Sequence, residues 1–368
     1  MRVALPLLTL IPGISGGSET YARELCRALA RCGEHDYEAL VPTLAPDAGG
    51  GLETVVATGY RASTTIAGRL AAMAAAAVRP GDLRRRLERA DVVHYPLTVP
   101  VPPADRPIVL TLLDVQHLDL PHLFPRGERF FRRVGYDRAA RRADEVIVIS
   151  HWVRERVIDR LGLDPDRVHA IHLGVDHDRF APDDPVQRER FLYYPARPWP
   201  HKNHARLFEA FALLRTDDPD LRLVLTGSGH DPARLPDGVE TLGDAPLAAR
   251  IGLYRRAAAV VFPSLYEGFG LPPLEAMACG CPVAVSNAAS LPEVVADAAV
   301  LFDPQDPEAI AAGVCEALDR ATELRTLGIA RAARFTWDAT ARAHDCVYAG
   351  AFQRARRSFA CTKPLDVR

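Results

Sequence analysis

From Phe262 to Ala278 the chain reads Phe-Pro-Ser-Leu-Tyr-Glu-Gly-Phe-Gly-Leu-Pro-Pro-Leu-Glu-Ala-Met-Ala. An apolar strand ends at Phe262, and a glycine-containing loop from Ser264 to Gly270 follows. A helix opens near Leu271-Pro272-Pro273, because proline is tolerated where first-turn N–H groups have no intrahelical partner. The amides of Gly268, Phe269, Gly270 and Leu271 then sit at a positive helix terminus, a seat for a phosphate or oxyanion. Glu267 and Glu275 bracket that seat. Carboxylates do not hold phosphate; they accept charge-assisted hydrogen bonds from sugar hydroxyls. A phosphate seat between two such groups describes a sugar–diphosphate–ribose ligand.

A second constellation is Tyr194-Pro195-Ala196-Arg197-Pro198-Trp199-Pro200-His201-Lys202. Arg197 and Lys202 follow a strand, where two fixed cations can neutralise a diphosphate leaving group without a metal. A third is the turn Pro12-Gly13-Ile14-Ser15-Gly16-Gly17, whose paired glycines let backbone approach a phosphate closely. Two further strands end in small or turn residues, at Thr226-Gly227-Ser228-Gly229 and at Thr241-Leu242-Gly243. After another strand come Asp114 and His117; the histidine reads as an acceptor-side base, a sugar hydroxyl partner or a plain loop residue.

These groups need elements to carry them. Short apolar runs alternate with helical patterns along the chain, the pattern of parallel α/β sheets. The first half predicts strands near 2–10, 37–41, 91–94, 108–112 and 145–149. The second half predicts strands near 190–195, 221–226, 239–241, 258–262, 282–285 and 299–301. Helices are expected over Ser18 to Arg31, with Ser18 as cap, after a Ser150 cap, over His204 to Leu214, over Leu274 to Cys279 and over Asp338 to Arg357. The Pro-rich polar stretch after Gly174-Val175-Asp176 reads as a linker. The expected organisation is residues 1–176, a linker at 177–189, and residues 190–368, with the last helix able to pack back on the first domain. Two Rossmann-like domains of this kind face each other across a cleft, and open α/β sheets bind ligands beyond their strands' carboxyl ends.

The Glu-x7-Glu spacing of Glu267 and Glu275, in Glu-Gly-Phe-Gly-Leu-Pro-Pro-Leu-Glu-Ala-Met-Ala, resembles family 4 of the retaining GT-B glycosyltransferases. The resemblance implies that Glu275 holds the donor ribose, that Glu267 lies by the donor sugar, and that the loop amides meet diphosphate or sugar. It implies leaving-group roles for Arg197 and Lys202, donor proximity for Gly16, Gly17, Gly227 and Ser264, and a nucleobase held by backbone near Leu242. Family members often carry His-Asp where this chain has Leu113-Asp114, so Asp114 remains and the usual histidine does not. The implied activity is hexose transfer from a nucleotide sugar, GDP-mannose first and UDP- or dTDP-sugars beside it, to an acceptor hydroxyl. Alternatives are a sugar-nucleotide epimerase or phosphorylase, or a silent sugar-nucleotide-binding protein.

Composition limits the partners. Hydrophobic content of 48% with 25% charged residues is that of a globular protein, and a net charge of −2 gives no pull towards nucleic acid. The apolar opening Met1 to Ile11 runs into a glycine-rich turn and reads as a buried strand, not a signal peptide. Seven scattered cysteines fit a reducing cytosol, so a cytoplasmic protein is expected. No cofactor is expected, and no catalytic metal: Asp164-Pro165-Asp166, Asp176-His177-Asp178 and Asp218-Pro219-Asp220 read as turn or linker chemistry. The arginine-rich run from Arg126 to Arg142, with Phe130, Phe131 and Tyr136, reads as a solvated helix face or as a peripheral contact with an anionic membrane or lipid acceptor.

Overall fold

The computed structural model describes residues 1–14, 16–78, 81–183 and 188–361. The contacts divide the chain into two compact units, Met1–Leu173 together with the segment from Trp337 onward, and Gly174–Thr336. The first unit holds a seven-stranded sheet of order β3-β2-β1-β4-β5-β6-β7. Its strands are β1 (Arg2–Pro6), β2 (Asp36–Val41), β3 (Glu53–Val56), β4 (Val92–Tyr95), β5 (Ile108–Thr111), β6 (Glu145–Val148) and β7 (Val168–Ala170). The second holds a six-stranded sheet of order β10-β9-β8-β11-β12-β13. Its strands are β8 (Glu189–Pro195), β9 (Arg222–Thr226), β10 (Val239–Thr241), β11 (Ala257–Phe262), β12 (Val283–Ser286) and β13 (Val300–Phe302). All pairings in both sheets are parallel, as between Leu5 and Ala39 or Tyr193 and Val260. Parallel strands covered on both faces are mostly apolar, and β4, β6 and β12, buried along their whole length, carry one polar residue each, His94, Glu145 and Ser286.

The departures from expectation have local causes. β1 stops at Pro6, although the apolar run continues. Beyond it the chain turns, with the Leu10 amide donating to Leu7 O, while Leu7, Leu8 and Leu10 stay buried. Burial alone cannot separate a strand from a buried turn. β3 and β7 were not expected because edge strands need no continuous apolar run; β3 is mostly exposed. The first helix starts at Gly17, with Gly16 rather than Ser18 at the cap position. Ser150 does cap the helix His151–Leu161, its hydroxyl accepting from the Val153 amide at 3.1 Å. Residues 177–183 of the expected linker fold with the second unit, where Phe180 is buried 6.2 Å from the Tyr254 ring. Residues 184–187 of that linker lie outside the described residues.

The long helix Trp337–Cys361 packs on the first unit, against the helix Gly17–Cys32. A chain of fully buried polar side chains joins them, and its proton directions follow from one carbonyl. His344 Nδ1 faces Thr340 O at 2.8 Å and must donate to it. His344 Nε2 is then an acceptor, and the Tyr21 hydroxyl donates to it at 2.9 Å. Tyr21 in turn accepts from Thr111 Oγ1 at 2.7 Å. Thr111 accepts from His94 Nε2 at 2.8 Å, and His94 Nδ1 accepts from the Tyr348 hydroxyl at 2.8 Å. Every proton has one acceptor only while both histidines are neutral. Burial accordingly holds His94 well below the usual histidine range and His344 at about 4.

A pH dependence follows. The native state refuses protons that the unfolded chain takes up below about pH 6.5, so the stability these histidines contribute is complete above that pH. It is lost as pH falls from 6.5 towards 4. His204 in the second unit, held at about 4 by burial, acts with the same sign. Denaturant midpoints are expected to fall between pH 7 and pH 5. The slope should be shallower in a His344→Gln variant; equal slopes would show that His344 is already charged or open to water.

Candidate functional site

In the second unit β8 lies between β9 and β11, so the strand order reverses at β8. Open parallel sheets bind ligands beyond the carboxyl ends of strands at such a switch point. The loops after β8 and β11 carry Arg197, Lys202 and residues 264–271 there.

The loop after β11 is laced from several sides. Asn203 Nδ2 donates to Pro263 O at 3.1 Å, and the Leu265 amide donates to His201 O at 2.8 Å. Ser286 Oγ donates to Ser264 O at 2.6 Å. The Ser290 hydroxyl lies 2.9 Å from Glu267 O and 2.8 Å from Phe269 O, so one proton is shared between two carbonyls. The Phe269 ring is buried edge-on to Phe335 at 5.9 Å. Gly270 closes the loop at φ 114°, where a side chain would be strained, and a Cβ would lie 2.7 Å from Leu291.

The helix Leu271–Ala278 begins immediately after it. Pro272 and Pro273 have no N–H to leave unpaired, and the Leu274 amide donates to Gly270 O. The amides of Gly270 and Leu271 remain, with no acceptor among the described residues. Two N–H groups at a positive helix terminus are a seat for an anion.

The charged groups are not disposed as separate charges. Lys202 Nζ lies 2.5 Å from Glu267 Oε1, with side chains 14% and 13% exposed. The lysine was expected as a cation open to a leaving group; here its charge is shared with the motif's first glutamate. Arg197 is half-buried with its guanidinium 5.8 Å from the Trp199 ring centre. Gly227, at φ 116°, lets β9 end against that loop: a Cβ there would lie 2.9 Å from Arg197 N. The Leu242 amide donates to Leu225 O at 2.9 Å. Glu275 is buried, with Oε2 accepting from the Tyr254 hydroxyl at 2.9 Å. Burial raises its pKa, against the opposing effects of the Arg250 charge and the Tyr254 hydrogen bond.

Two of the expected site residues are more enclosed than their loops suggest. Ser264 is fully buried, its hydroxyl 3.3 Å from that of Tyr194, so it braces the loop. His117 is 3% exposed, with Nε2 2.9 Å from Asp137 Oδ1 and Nδ1 without a partner among the described residues; it ties the turn after β5 to the helical segment Arg133–Asp137. Asp114 is half-buried, its Oδ1 accepting from the Gln116 amide at 3.0 Å and lying 3.6 Å from Arg132. Gly16, at φ 55°, and Gly17 stand at the start of the helix Gly17–Cys32, with open space where a Cβ would project. Gly16, Gly17, Asp114 and His117 all belong to the first unit.

Sequence reasoning missed Tyr254, Ser290 and Asn203. Each acts on the motif from another element, at 21 to 60 residues' separation, and no short spacing marks them. The Asp-x-Asp pairs do turn work, as in Asp164 accepting from the Asp166 amide at 3.0 Å, or pair with arginine, as Asp218 with Arg190 at 2.7 Å.

Comparison with known proteins gives the family and the fold. Residues 177–333 match the family model of glycosyl transferases group 1, and residues 15–179 that of Glycosyltransferase Family 4. An MMP alpha-(1->4)-mannosyltransferase of Mycolicibacterium hassiacum is 34% identical over 235 residues, which is 59% of this chain and 56% of that protein. O-antigen chain mannosyltransferase B of Escherichia coli is 30% identical over 256 residues, 62% of this chain and 67% of that protein. The chain thus spans little over half the length of the first of these relatives. Among solved structures, sucrose-phosphate synthase from Thermosynechococcus elongatus shares the fold, with a TM-score of 0.73 at 21% identity over 98% of this chain and 100% of that one. No helix among the described residues is long and apolar enough to cross a membrane. With two parallel-sheet Rossmann-like units and the motif seated at the switch point of the second, the chain belongs to the family 4, group 1 glycosyltransferases of GT-B fold.

Proposed function

We propose that the protein transfers a hexose from a nucleoside diphosphate sugar to an acceptor hydroxyl, with retention of anomeric configuration. The observation that carries this is the arrangement after β8 and β11. Two amides with no acceptor among the described residues, at Gly270 and Leu271, lie in the same loop–helix segment as Glu267, which Lys202 meets from the loop after β8, and the Glu275 carboxylate. The amides and Arg197 take the diphosphate, Glu275 the ribose, and Glu267 a donor-sugar hydroxyl. Lys202, already held by Glu267, supplies positive charge as the leaving group forms. GDP-mannose is the first donor, supported by the mannosyltransferase names of both relatives. Gly16, Gly17 and Asp114 keep, as proposals, the donor and acceptor roles the family resemblance gives them. A peripheral contact with anionic lipid is supported by exposed Phe130 and Val134 among the exposed side chains of Arg126, Arg129 and Arg133.

A thermal-shift panel of GDP-, UDP- and dTDP-sugars tests the reading, since ligand binding to the native state raises the melting point. A sugar nucleotide is expected to stabilise the protein, and product from it is expected to keep the donor's anomeric form by NMR. Turnover is expected to persist in EDTA, because Lys202 and Arg197 meet the charge. Loss in EDTA restored by magnesium or manganese would refute the metal-free part. Free epimerised sugar, phosphate-dependent turnover, or tight binding without transfer would each replace the proposed activity with another.

A further inference from the structure

Glu275 is a carboxylate in an unfavourable place. It is buried in the helix Leu271–Ala278, and Tyr254 makes its only side-chain hydrogen bond to a described residue. That bond occupies Oε2 and leaves Oε1 without a partner among the described residues. Tyr254 and Arg250 stand four residues apart on the helix Leu247–Arg256, and so on one face of it. Both favour the ionised carboxylate, the tyrosine by donating and the arginine by its charge. The remaining titratable neighbours stay neutral. Tyr193 on β8 stands edge-on to Tyr254 at 5.2 Å, and its hydroxyl is 2.7 Å from Thr226 Oγ1, so it does not compete for Glu275. Cys279, at the end of the carboxylate's own helix, is pushed up to about 12 by burial. Tyr254 itself is fully buried and raised well above its ordinary value, so its hydroxyl is always a donor.

We propose that Tyr254 is a positioning residue for the donor site: its hydroxyl fixes Glu275 Oε2, so that Oε1 is presented as the acceptor for the ribose hydroxyls. The proposal rests on the reading of Glu275 as the ribose carboxylate. A carboxylate held at one oxygen cannot swing both oxygens onto one donor, and holding it ionised keeps it an acceptor only. Without Tyr254 the carboxylate would stay buried but lose its one fixed donor. It would then protonate more readily and present a hydroxyl where ribose needs an acceptor.

The test uses GDP and UDP against their 2′,3′-dideoxy counterparts, with the full chain and calorimetric titration from pH 5 to pH 8. Wild type is expected to prefer the ribonucleotide, and Glu275→Gln to lose that preference. Tyr254→Phe keeps the ring and its contacts with Tyr193 and Phe180. It is expected to weaken ribonucleotide binding about tenfold near pH 6, the size of one hydrogen bond to a charged group. Dideoxynucleotide binding should change by less than about twofold. The acid limb of ribonucleotide binding should move to higher pH, so that part of the loss is recovered at pH 8. In the Glu275→Gln background Tyr254→Phe should have no further effect on preference or on the limb. Tyr254→Met, which also lacks the donor, serves if the phenylalanine variant does not fold. If neither ribonucleotide binds wild type, or Glu275→Gln keeps the preference, the ribose reading of Glu275 fails. If Glu275→Gln loses the preference while Tyr254→Phe keeps both it and the acid limb, the positioning role alone is overturned.

Discussion

Lys202→Ala is expected to lower the turnover number about 100- to 1,000-fold, the cost of losing one preorganised donor aimed at developing charge. Turnover should fall more than the donor Michaelis constant rises, because diphosphate charge builds as the glycosidic bond breaks. The structure adds a second contribution. Lys202 and Glu267 are only 14% and 13% exposed and lie 2.5 Å apart, so the alanine variant also leaves a shielded carboxylate unpaired. Breaking such a pair costs more than the pair is worth. A cycle through Glu267→Gln separates the two contributions. The double variant is expected to lose less than the sum of the singles, since both groups act as one unit. Lys202→Arg should recover only part, because a planar fork does not replace a compact ammonium. Steady-state kinetics on variants of native circular dichroism decide the matter. Near-normal turnover in folded Lys202→Ala, with only the acceptor constant altered, would remove Lys202 from the leaving group.

The second large effect is at Glu275, where affinity and stability should move in opposite directions. Glu275→Ala is expected to weaken nucleotide-sugar binding by about 1.5–3 kcal/mol through loss of charge-assisted ribose contacts. The stability sign runs the other way. Burial raises this carboxyl's pKa in the native state, so the native protein binds a proton more tightly than the unfolded chain does. Any stability from that shift is complete below the unfolded carboxyl range and is lost as pH rises through the raised native value. At neutral pH the ionised, buried group is therefore a cost to the fold. Glu275→Gln keeps the shape and an acceptor for Tyr254 while removing the charge, and is expected to raise the unfolding temperature of the ligand-free protein at pH 7. Calorimetry for affinity and thermal unfolding for stability read the two signs separately. Unchanged donor affinity would dismiss the ribose role, and a lowered melting point for Glu275→Gln would show the charge to be well solvated.

Both predictions draw on different layers of information. The strand positions of the second unit were legible because parallel strands buried on both faces need unbroken apolar runs, as in Ala257–Phe262. The loop–helix seat was legible because its parts are consecutive: glycine at a left-handed position, two prolines in a first turn, and two glutamates at fixed spacing. Backbone rules act over a few residues and can be read from a few residues.

What the sequence alone determined is therefore the α/β class, the family motif and the chemistry available at the strand ends. The tertiary structure decided which of those groups are partners. Lys202 meets Glu267 across 65 residues because β8 and β11 are neighbours in the sheet, and Tyr254 meets Glu275 across 21 because the helices on either side of β11 pack together. Strand order is set by crossover connections, and no periodicity in either strand records its neighbour. The same holds for Ser264 and His117, polar residues whose loops suggested exposure. The Ser264 hydroxyl is met at depth by Tyr194 and His117 Nε2 by Asp137, contacts that no local pattern records. It holds also for the last helix, whose sequence shows that it is a helix. Its place in the first unit rests on His344 and Tyr348 meeting Tyr21 and His94, at separations of 323 and 254 residues, where only the folded chain brings donor and acceptor together.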